Sequence, residues 1–271
     1  PGDSTADNRR NRVVTDMYEP GSTFKIVAVS GALNEGVVRL SDRFNCENGN
    51  FYFAGKVLHD HHAYSELSVE EIITKSSNIG TAKVAMQLGS DRLHRYISHL
   101  GFGVKTGISL PGEVSGMLHP LKNWNKLSIS RIPMGHEIAA TPIQLVLAMS
   151  AVANGGSLMR PILVDKLTDR DGNIIVDYPK AVVRKAIRNE TAQQMVEALI
   201  TVVSPNGTAK QAWLKNYVVA GNSVIGESIV EKDELLKRLL PTAIDAPKVK
   251  WGDPLVDRSI THDHRGKGTI T

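Results

Sequence analysis

An apolar stretch near the start of the chain dominates its pattern of hydrophobic and polar positions. Pro20-Gly21 has turn chemistry, and residues 26–29 and 32–33 are then apolar on nearly every side until Gly36. A helix that is apolar all round is normally buried, so the pattern predicts a buried helix that begins at about Ser22. Ser22 and Lys25 then lie on one face of that helix, one turn apart.

Capping signals predict further helices. Ser68 with Glu71 and Thr141 with Gln144 are capping boxes, the second with proline at the first helical position. The first box opens a helix that ends near Ser76, which places Ser76-Ser77-Asn78 between two helices. Two more helices are predicted after this corner, one through residues 81–86 that ends at Gly89 and one capped by Ser90 that ends at Gly101. The Thr141 box opens a helix through residues 145–149 that ends at Asn154, and a further helix begins at Asn189 or Glu190 and continues through Ile200. An amphipathic helix is predicted over residues 231–240.

Strand patterns predict two small hairpins. Asn50–Phe53 and Lys56–His59 flank Ala54-Gly55. Residues 162–164 and 174–176 flank Asp171-Gly172, which is a strong hairpin signal. The elements together indicate an α+β chain that is mainly helical.

Composition bounds the classes of function. The chain has 271 residues, 41% of them hydrophobic and 22% charged, which suits one large domain or two small ones. A single cysteine, Cys46, excludes an internal disulfide and a cysteine-built metal site. The net charge is +4, but the basic residues are scattered apart from residues 9–12 and aromatics are 5%, which argues against a nucleic-acid partner.

The two ends of the chain bear on its completeness. No run of about 18 apolar residues is present, so the sequence predicts no membrane span. Residues 1–8 are polar and lack an initiator methionine or the core of a signal peptide. We therefore expect an excerpt of a longer protein.

The Ser22-Lys25 pair has a chemical use. A serine hydroxyl is a poor nucleophile until a base takes its proton, and a lysine can be that base when burial lowers its pKa. The partial positive charge of a helix N-terminus favours an oxyanion there. A helix start with a snorkelling lysine gives the same spacing without any chemistry.

The second motif decides between these interpretations. Pro20-Gly21-Ser22-Thr23-Phe24-Lys25 is followed by Lys75-Ser76-Ser77-Asn78 in the order of the serine-x-x-lysine and serine-x-asparagine motifs of penicillin-binding proteins and serine β-lactamases. From about Arg9 to Gly221 the chain resembles the transpeptidase domain of class B penicillin-binding proteins. Further landmarks of the resemblance are residues 55–60, 101–103, 106–108, 110–113, 139–142 and 153–156.

The resemblance implies a fold and a reaction. The fold is a partial penicillin-binding, β-lactamase-like fold with a truncated central antiparallel sheet. Ser22 is the nucleophile, Lys25 the base, Ser76 a proton relay and Asn78 a hydrogen-bond partner of the substrate, and the substrate-binding residues are Ser77, Gly221, Asn222 and Ser223. The implied activity is peptidoglycan D,D-transpeptidation, without cofactor or metal.

The resemblance also implies partners and a location. The partners are stem peptides of peptidoglycan, β-lactam antibiotics and other elongation or division proteins, and nucleic acid is not among them. The location is the extracytoplasmic face of a bacterial inner membrane, in a longer anchored protein with a periplasmic domain.

The chain departs from the family where the third motif, Lys-Thr-Gly, is expected. Gly221 is followed by Asn222-Ser223, and we expect severely reduced or absent activity because asparagine cannot replace a cation. Lys105-Thr106-Gly107 spells the motif but falls in a loop, where we expect a structural role. The predicted domain is 9–221, with a divergent tail over 222–271. We further expect exposed apolar surface around residues 26–33, because the sheet is incomplete.

Other interpretations stay open. The chain could be a non-catalytic scaffold of the cell-wall machinery, or a related β-lactamase or carboxypeptidase, and a reading-frame error near Gly221 could explain the tail. His59-Asp60-His61-His62 is spaced too tightly for structural zinc, and for His262-Asp263-His264 a solvated end is preferred.

Overall fold

A computed structural model describes residues 9–222 and the backbone of residues 260–262 and 268–270. The chain divides into two compact units, residues 1–210 with 220–225, and residues 211–219 with 226–271. The α-helices of the described part are α1 (Arg12–Thr15), α2 (Lys25–Asn34), α3 (Val69–Lys75), α4 (Asn78–Leu88), α5 (Ser90–His99), α6 (Ser128–Arg131), α7 (Pro142–Ala153) and α8 (Asn189–Val202).

The strands are short and pair two by two. They are β1 (Arg43–Asn45), β2 (Asn50–Phe53), β3 (Lys56–His59), β4 (Glu66–Ser68), β5 (Ser157–Met159), β6 (Lys166–Thr168), β7 (Ile174–Asp177), β8 (Val182–Lys185), β9 (Ile260–His262) and β10 (Gly268–Ile270). The antiparallel pairs are β1–β4, β2–β3, β5–β8, β6–β7 and β9–β10. The predicted mainly helical α+β class with small hairpins is confirmed.

Helix α2 forms the centre of the core. A 3₁₀ turn, Gly21–Phe24, leads into it, and every residue from Lys25 to Leu33 is buried. Helices α3, α4, α5 and α8 pack around it. At Gly31 an added Cβ would lie 2.9 Å from the Tyr96 ring, so a glycine permits the close approach of α5. The expectation of exposed apolar surface around residues 26–33 was wrong, because these helices cover α2 without a large sheet.

The corner between α3 and α4 positions the second motif. The predicted capping box is present, with Ser68 Oγ accepting from the Glu71 N–H and the Glu71 carboxylate accepting from the Ser68 N–H. Helix α3 ends at Lys75, and Ser76 follows in the left-handed region at φ 55°. Ser77 is the N-cap of α4 and accepts from the Gly80 N–H. Two residues therefore reverse the chain between the helices.

Two local predictions need correction. Ser90 is the first residue of α5 and Gly89 is its N-cap, without a side-chain cap. The second hairpin pairs Lys166–Thr168, not residues 162–164, with Ile174–Asp177. The turn explains the difference. The Asp169 carboxylate accepts from the N–H groups of Asp171 and Asn173, so the first strand of the hairpin ends immediately before residue 169.

Several expectations fall outside the described residues. They concern Ser223, the amphipathic helix over 231–240, and Asp263 with His264; of His262 only the backbone is described, in β9. Across the described part of the chain, no helix combines the length and the apolar character needed to cross a bilayer.

Candidate active site

Ser22 lies in a tight turn at the start of the central helix. Its side chain is nearly covered, at 9% exposure, and its hydroxyl makes no hydrogen bond to any other described residue. The turn is held from outside by Gly135, whose carbonyl accepts from the Gly21 N–H at 3.4 Å. A Cβ on Gly135 would come within 2.3 Å of the Gly21 backbone, so only glycine allows this contact.

Lys25 is an amine in an almost dry environment. It is 1% exposed, and its Nζ donates to the backbone oxygen of Ser76 and, at 2.9 Å, to Ser76 Oγ. Desolvation lowers the pKa of Lys25 from 10.5 to about 7, and the negative charge of Asp60 opposes part of this shift. A lysine with such a pKa is neutral in a large fraction of molecules at pH 7 and can act as a base.

Ser22, Lys25 and Ser76 lie in one region of the structure, but the hydrogen bond of Lys25 differs from the Ser22-Lys25 pair that the sequence suggested. Lys25 bonds to Ser76, 51 positions away, and no bond joins it to Ser22. A neutral Lys25 can accept a proton from one hydroxyl and pass it to the other. Hydrogen bonds of catalytic pairs are often formed only when substrate is present, so the unbonded Ser22 hydroxyl is compatible with this chemistry.

Asn78 and Ser77 differ in what they can reach. Asn78 is the first residue of α4, is partly exposed, and its Nδ2 donates to the His59 carbonyl at 3.0 Å. Ser77 is 1% exposed, and its hydroxyl donates to Asp60 at 2.6 Å while accepting from the Gly80 N–H. The Ser77 hydroxyl therefore caps α4 in this structure, and the contact of Ser77 with the substrate stays a prediction.

The segment that departs from the family pattern lies beside the nucleophile turn. Asn222 Nδ2 donates to the Ser22 carbonyl at 2.9 Å, and the Gly221 N–H donates to the Leu199 carbonyl at 3.2 Å. The residue that stands where the resemblance expects a lysine is therefore next to Ser22. An amide at this place supplies hydrogen bonds but no positive charge.

Two groups of functional relevance were not predicted. Asp60, considered in the sequence as part of a family landmark and of a histidine-rich run but given no role, accepts from Ser77 and from the N–H groups that open α4. The Glu19 carboxylate accepts from the Glu137 N–H at 3.0 Å and lies 2.9 Å from His136 Nδ1, and this contact holds the pKa of Glu19 below its usual value. No sequence signal joins these positions, since 117 residues separate Glu19 from His136.

The Lys105-Thr106-Gly107 triplet and the possible metal ligands are the remaining candidates from the sequence. In the loop of Lys105-Thr106-Gly107, the N–H groups of Thr106 and Gly107 donate to the carboxylate of Glu113, at 2.6 and 3.2 Å. Within the described residues, no group of three histidine, cysteine or acidic side chains is arranged to hold a metal ion.

Comparisons with known proteins agree with this geometry. A family model described as the penicillin binding protein transpeptidase domain matches residues 2–233. Peptidoglycan D,D-transpeptidase FtsI of Escherichia coli is 32% identical over 211 residues, which are 78% of this chain and 34% of that protein. The chain spans about a third of the length of the curated relatives it matches.

Solved structures show the same fold. The transpeptidase domain of penicillin-binding protein 3 from Burkholderia pseudomallei superposes with a TM-score of 0.72 at 30% identity, covering 81% of this chain and 65% of that one. Penicillin-binding protein 3 of Mycobacterium tuberculosis in complex with ampicillin superposes with a TM-score of 0.71 at 26% identity, covering 78% of this chain and 48% of that one.

Proposed function

This chain belongs to the penicillin-binding protein transpeptidase family, and we propose that it derives from a peptidoglycan D,D-transpeptidase whose nucleophile is Ser22. The observation that carries the proposal is the buried contact of Lys25 with Ser76, one turn from Ser22. This contact connects a residue of the first motif to a residue of the second, and Lys25, with a pKa of about 7, can act as the base. The name of the E. coli relative points to the same reaction.

The proposed reaction has two steps. Ser22 Oγ attacks the carbonyl of the penultimate D-alanine of a stem peptide, and neutral Lys25 takes the hydroxyl proton. Ser76 passes a proton from Lys25 to the departing amine, the terminal D-alanine leaves, and an ester to Ser22 remains. An amine of a second strand then attacks the ester and restores the Ser22 hydroxyl. Ser22 is nearly covered but keeps a small exposed fraction.

The remaining site residues have supporting roles in this proposal. Asn78, partly exposed at the start of α4, bonds the amide of the substrate. Gly221 and Asn222 line the same site beside Ser22, and Ser223 is a further substrate-binding residue in the proposal. The Ser22 N–H supplies half of an oxyanion hole, and removal of one such donor typically lowers the rate about 100- to 1000-fold. Ser77 is a further substrate-binding residue in the proposal, and it also caps α4.

Partners and location follow from the proposed reaction. The substrates are peptidoglycan stem peptides, and β-lactams acylate Ser22 because their strained amide resembles the D-alanyl-D-alanine bond. Ampicillin in the M. tuberculosis structure supports this chemistry for a relative. The parent protein is membrane-anchored with this domain on the extracytoplasmic side, where peptidoglycan lies, alongside elongation or division proteins. We assign the transpeptidase domain to residues 9–221, and residues 222–271 to a tail whose sequence diverges from the family pattern.

Asn222 favours a second candidate function. Without a cation beside Ser22, the terminal carboxylate of a stem peptide loses an ionic partner, so this chain either reacts slowly or serves as a non-catalytic scaffold. Release of D-alanine from a synthetic acyl-D-alanyl-D-alanine peptide separates the two. The transpeptidase proposal expects slow release that is abolished in Ser22→Ala, whereas identical background release in both proteins contradicts it and supports the scaffold.

A further inference from the structure

The carboxylate of Asp60 lies where the second motif turns into α4. Its Oδ2 accepts from Ser77 Oγ at 2.6 Å, and its Oδ1 accepts from the N–H of Asn78 and, at 3.0 Å, from the N–H of Ile79. Asp60 is itself anchored, because its N–H donates to the Gly49 carbonyl at 3.2 Å. Three consecutive residues of the motif segment thus share one acceptor.

The chemistry of this contact is favourable on two grounds. The first N–H groups of a helix have no partner within the helix, and Asp60 supplies one for two of them. A carboxylate at a helix N-terminus is also stabilised by the helix dipole, and hydrogen bonds to an ionised acceptor are about twice as strong as neutral ones. The segment that follows Ser76 is therefore fixed by a charged group.

Resting on the proposed function, we propose that Asp60 is a positioning residue for the acylation of Ser22. It holds the turn of Ser76, Ser77 and Asn78 in place and sets a negative charge near Lys25. Neither of the two sequence motifs contains Asp60, and its role is read from the contacts of the folded chain.

Asp60 is the charge that acts on Lys25. Its negative charge raises the pKa of Lys25 against the larger opposite effect of burial. Several charged side chains on the elements around α2 have other partners: Lys75 donates to the Asn206 carbonyl, Glu71 accepts from Ser68, Lys83 pairs with Glu47, and Arg92 and Arg95 pair with Glu35. Asp91, Glu190 and Glu197 are exposed, and Glu70 is half-buried in the first turn of α3. Loss of the Asp60 charge should therefore lower the pKa of Lys25 further.

Asp60→Asn tests the proposal because it keeps the shape of the side chain. The amide oxygen can still accept from the N–H groups of Asn78 and Ile79, while the charge is lost. Asp91→Asn is the matched control, since Asp91 is an exposed carboxylate in the first turn of α5. Asp60→Ser, which removes the charge and keeps a hydroxyl that can accept a hydrogen bond, is read in the same way if Asp60→Asn does not fold.

Two readouts are needed. The first is the titration of Lys25 by NMR of protein labelled at the lysine ε-carbon, with the signal assigned from Lys25→Met. The second is the rate of acylation by benzylpenicillin between pH 5.5 and 9. We expect the Lys25 midpoint and the acidic limb of the rate to move to lower pH in Asp60→Asn, and the plateau rate to fall about 5- to 10-fold as charged hydrogen bonds become neutral.

The outcomes separate this inference from the proposed function. A Lys25 midpoint that is unchanged in Asp60→Asn, with only a lower melting temperature, overturns the inference and leaves Asp60 as a helix cap. A midpoint that also moves in Asp91→Asn overturns it too, because the effect is then not local. If the wild-type chain is not acylated at all, the proposed function fails, and the NMR titration still decides whether Asp60 acts on Lys25.

Discussion

At the scale of single residues, the burial of Lys25 affects both the reactivity of its amine and the stability of the fold. Burial of an amine disfavours its charged form, which produces a base at neutral pH and at the same time costs folding free energy. The sequence predicted the helix and the serine-lysine spacing. It did not predict that Lys25 bonds to Ser76, because side chains 51 positions apart meet only once the helices pack.

Replacement of Lys25 by methionine tests the burial of the charge. The folded chain loses the Lys25 proton at about pH 7, whereas the unfolded chain keeps it up to about 10.5. The unfolded state therefore binds more protons in this window, so the stability of the wild type rises with pH by at most about 1.4 kcal/mol per unit. We expect the melting-temperature advantage of Lys25→Met to be largest at pH 6, where Lys25 is mostly protonated in both states, and to shrink from about pH 7 towards pH 10.

The difference in melting temperature between Lys25→Met and the wild type needs no further control variant, because all other titrating groups are common to both proteins. Thermal unfolding followed by circular dichroism at pH 6, 7, 8, 9 and 10 is sufficient. A difference that stays constant across this range would show that Lys25 does not titrate near 7 in the folded chain.

Asn222 is the second residue whose chemistry can be tested directly. It bonds to the Ser22 carbonyl, so a lysine at this position would place a cation beside the nucleophile. A hydrogen bond to a charged group contributes about 1.5–3 kcal/mol, so we expect Asn222→Lys to raise the acylation rate about 10- to 100-fold.

The matched control is Asn222→Gln, which lengthens the side chain without adding charge. Stopped-flow or gel detection of a fluorescent penicillin gives the rate for both variants. Equal acylation rates in Asn222→Lys and Asn222→Gln would contradict the claim that the missing positive charge at position 222 limits the reaction.

At the scale of elements, the corner between α3 and α4 carries the second motif. Both predicted capping boxes are present, because capping depends on residues three apart. Ser90 was wrongly predicted as a cap, since Gly89, at φ 87°, already takes the cap position. The 162–164 strand was also wrong, because hydrophobic pattern alone did not reveal the turn made by the Asp169 carboxylate.

Gly80 tests how tightly this corner is packed. A Cβ at Gly80 would lie 2.4 Å from Ile72 Cγ1 and 3.1 Å from Ser77 Oγ. Gly80→Ala should therefore destabilise the fold by about 1–3 kcal/mol, as overpacked cores do, despite the higher helix propensity of alanine. Chemical denaturation measures the change, and Gly221→Ala is the control, since its Cβ would meet nothing within 4 Å. A Gly80→Ala protein as stable as the wild type contradicts this packing.

At the scale of the whole molecule, the helical packing explains how the described part of the chain, where each sheet has two strands, buries its central helix. The sequence predicted the helices but not which of them would cover α2, since that depends on contacts between distant segments such as α2 with α8. The family resemblance named Ser22, Lys25, Ser76 and Asn78 as catalytic, and their catalytic roles stay predictions; the structure shows the contact of Lys25 with Ser76. Asp60 and the Glu19–His136 contact could not be predicted, because no local pattern links them to the motifs.

The central claim is that Ser22, Lys25 and Ser76 form one acylation site. The most direct test is the intact mass of the chain after incubation with benzylpenicillin, beside Ser22→Ala and a Ser90→Ala control. The account predicts one penicilloyl adduct in the wild type and in Ser90→Ala, and none in Ser22→Ala. An adduct that persists in Ser22→Ala, or no adduct in a wild-type sample shown to be folded by circular dichroism, would contradict it.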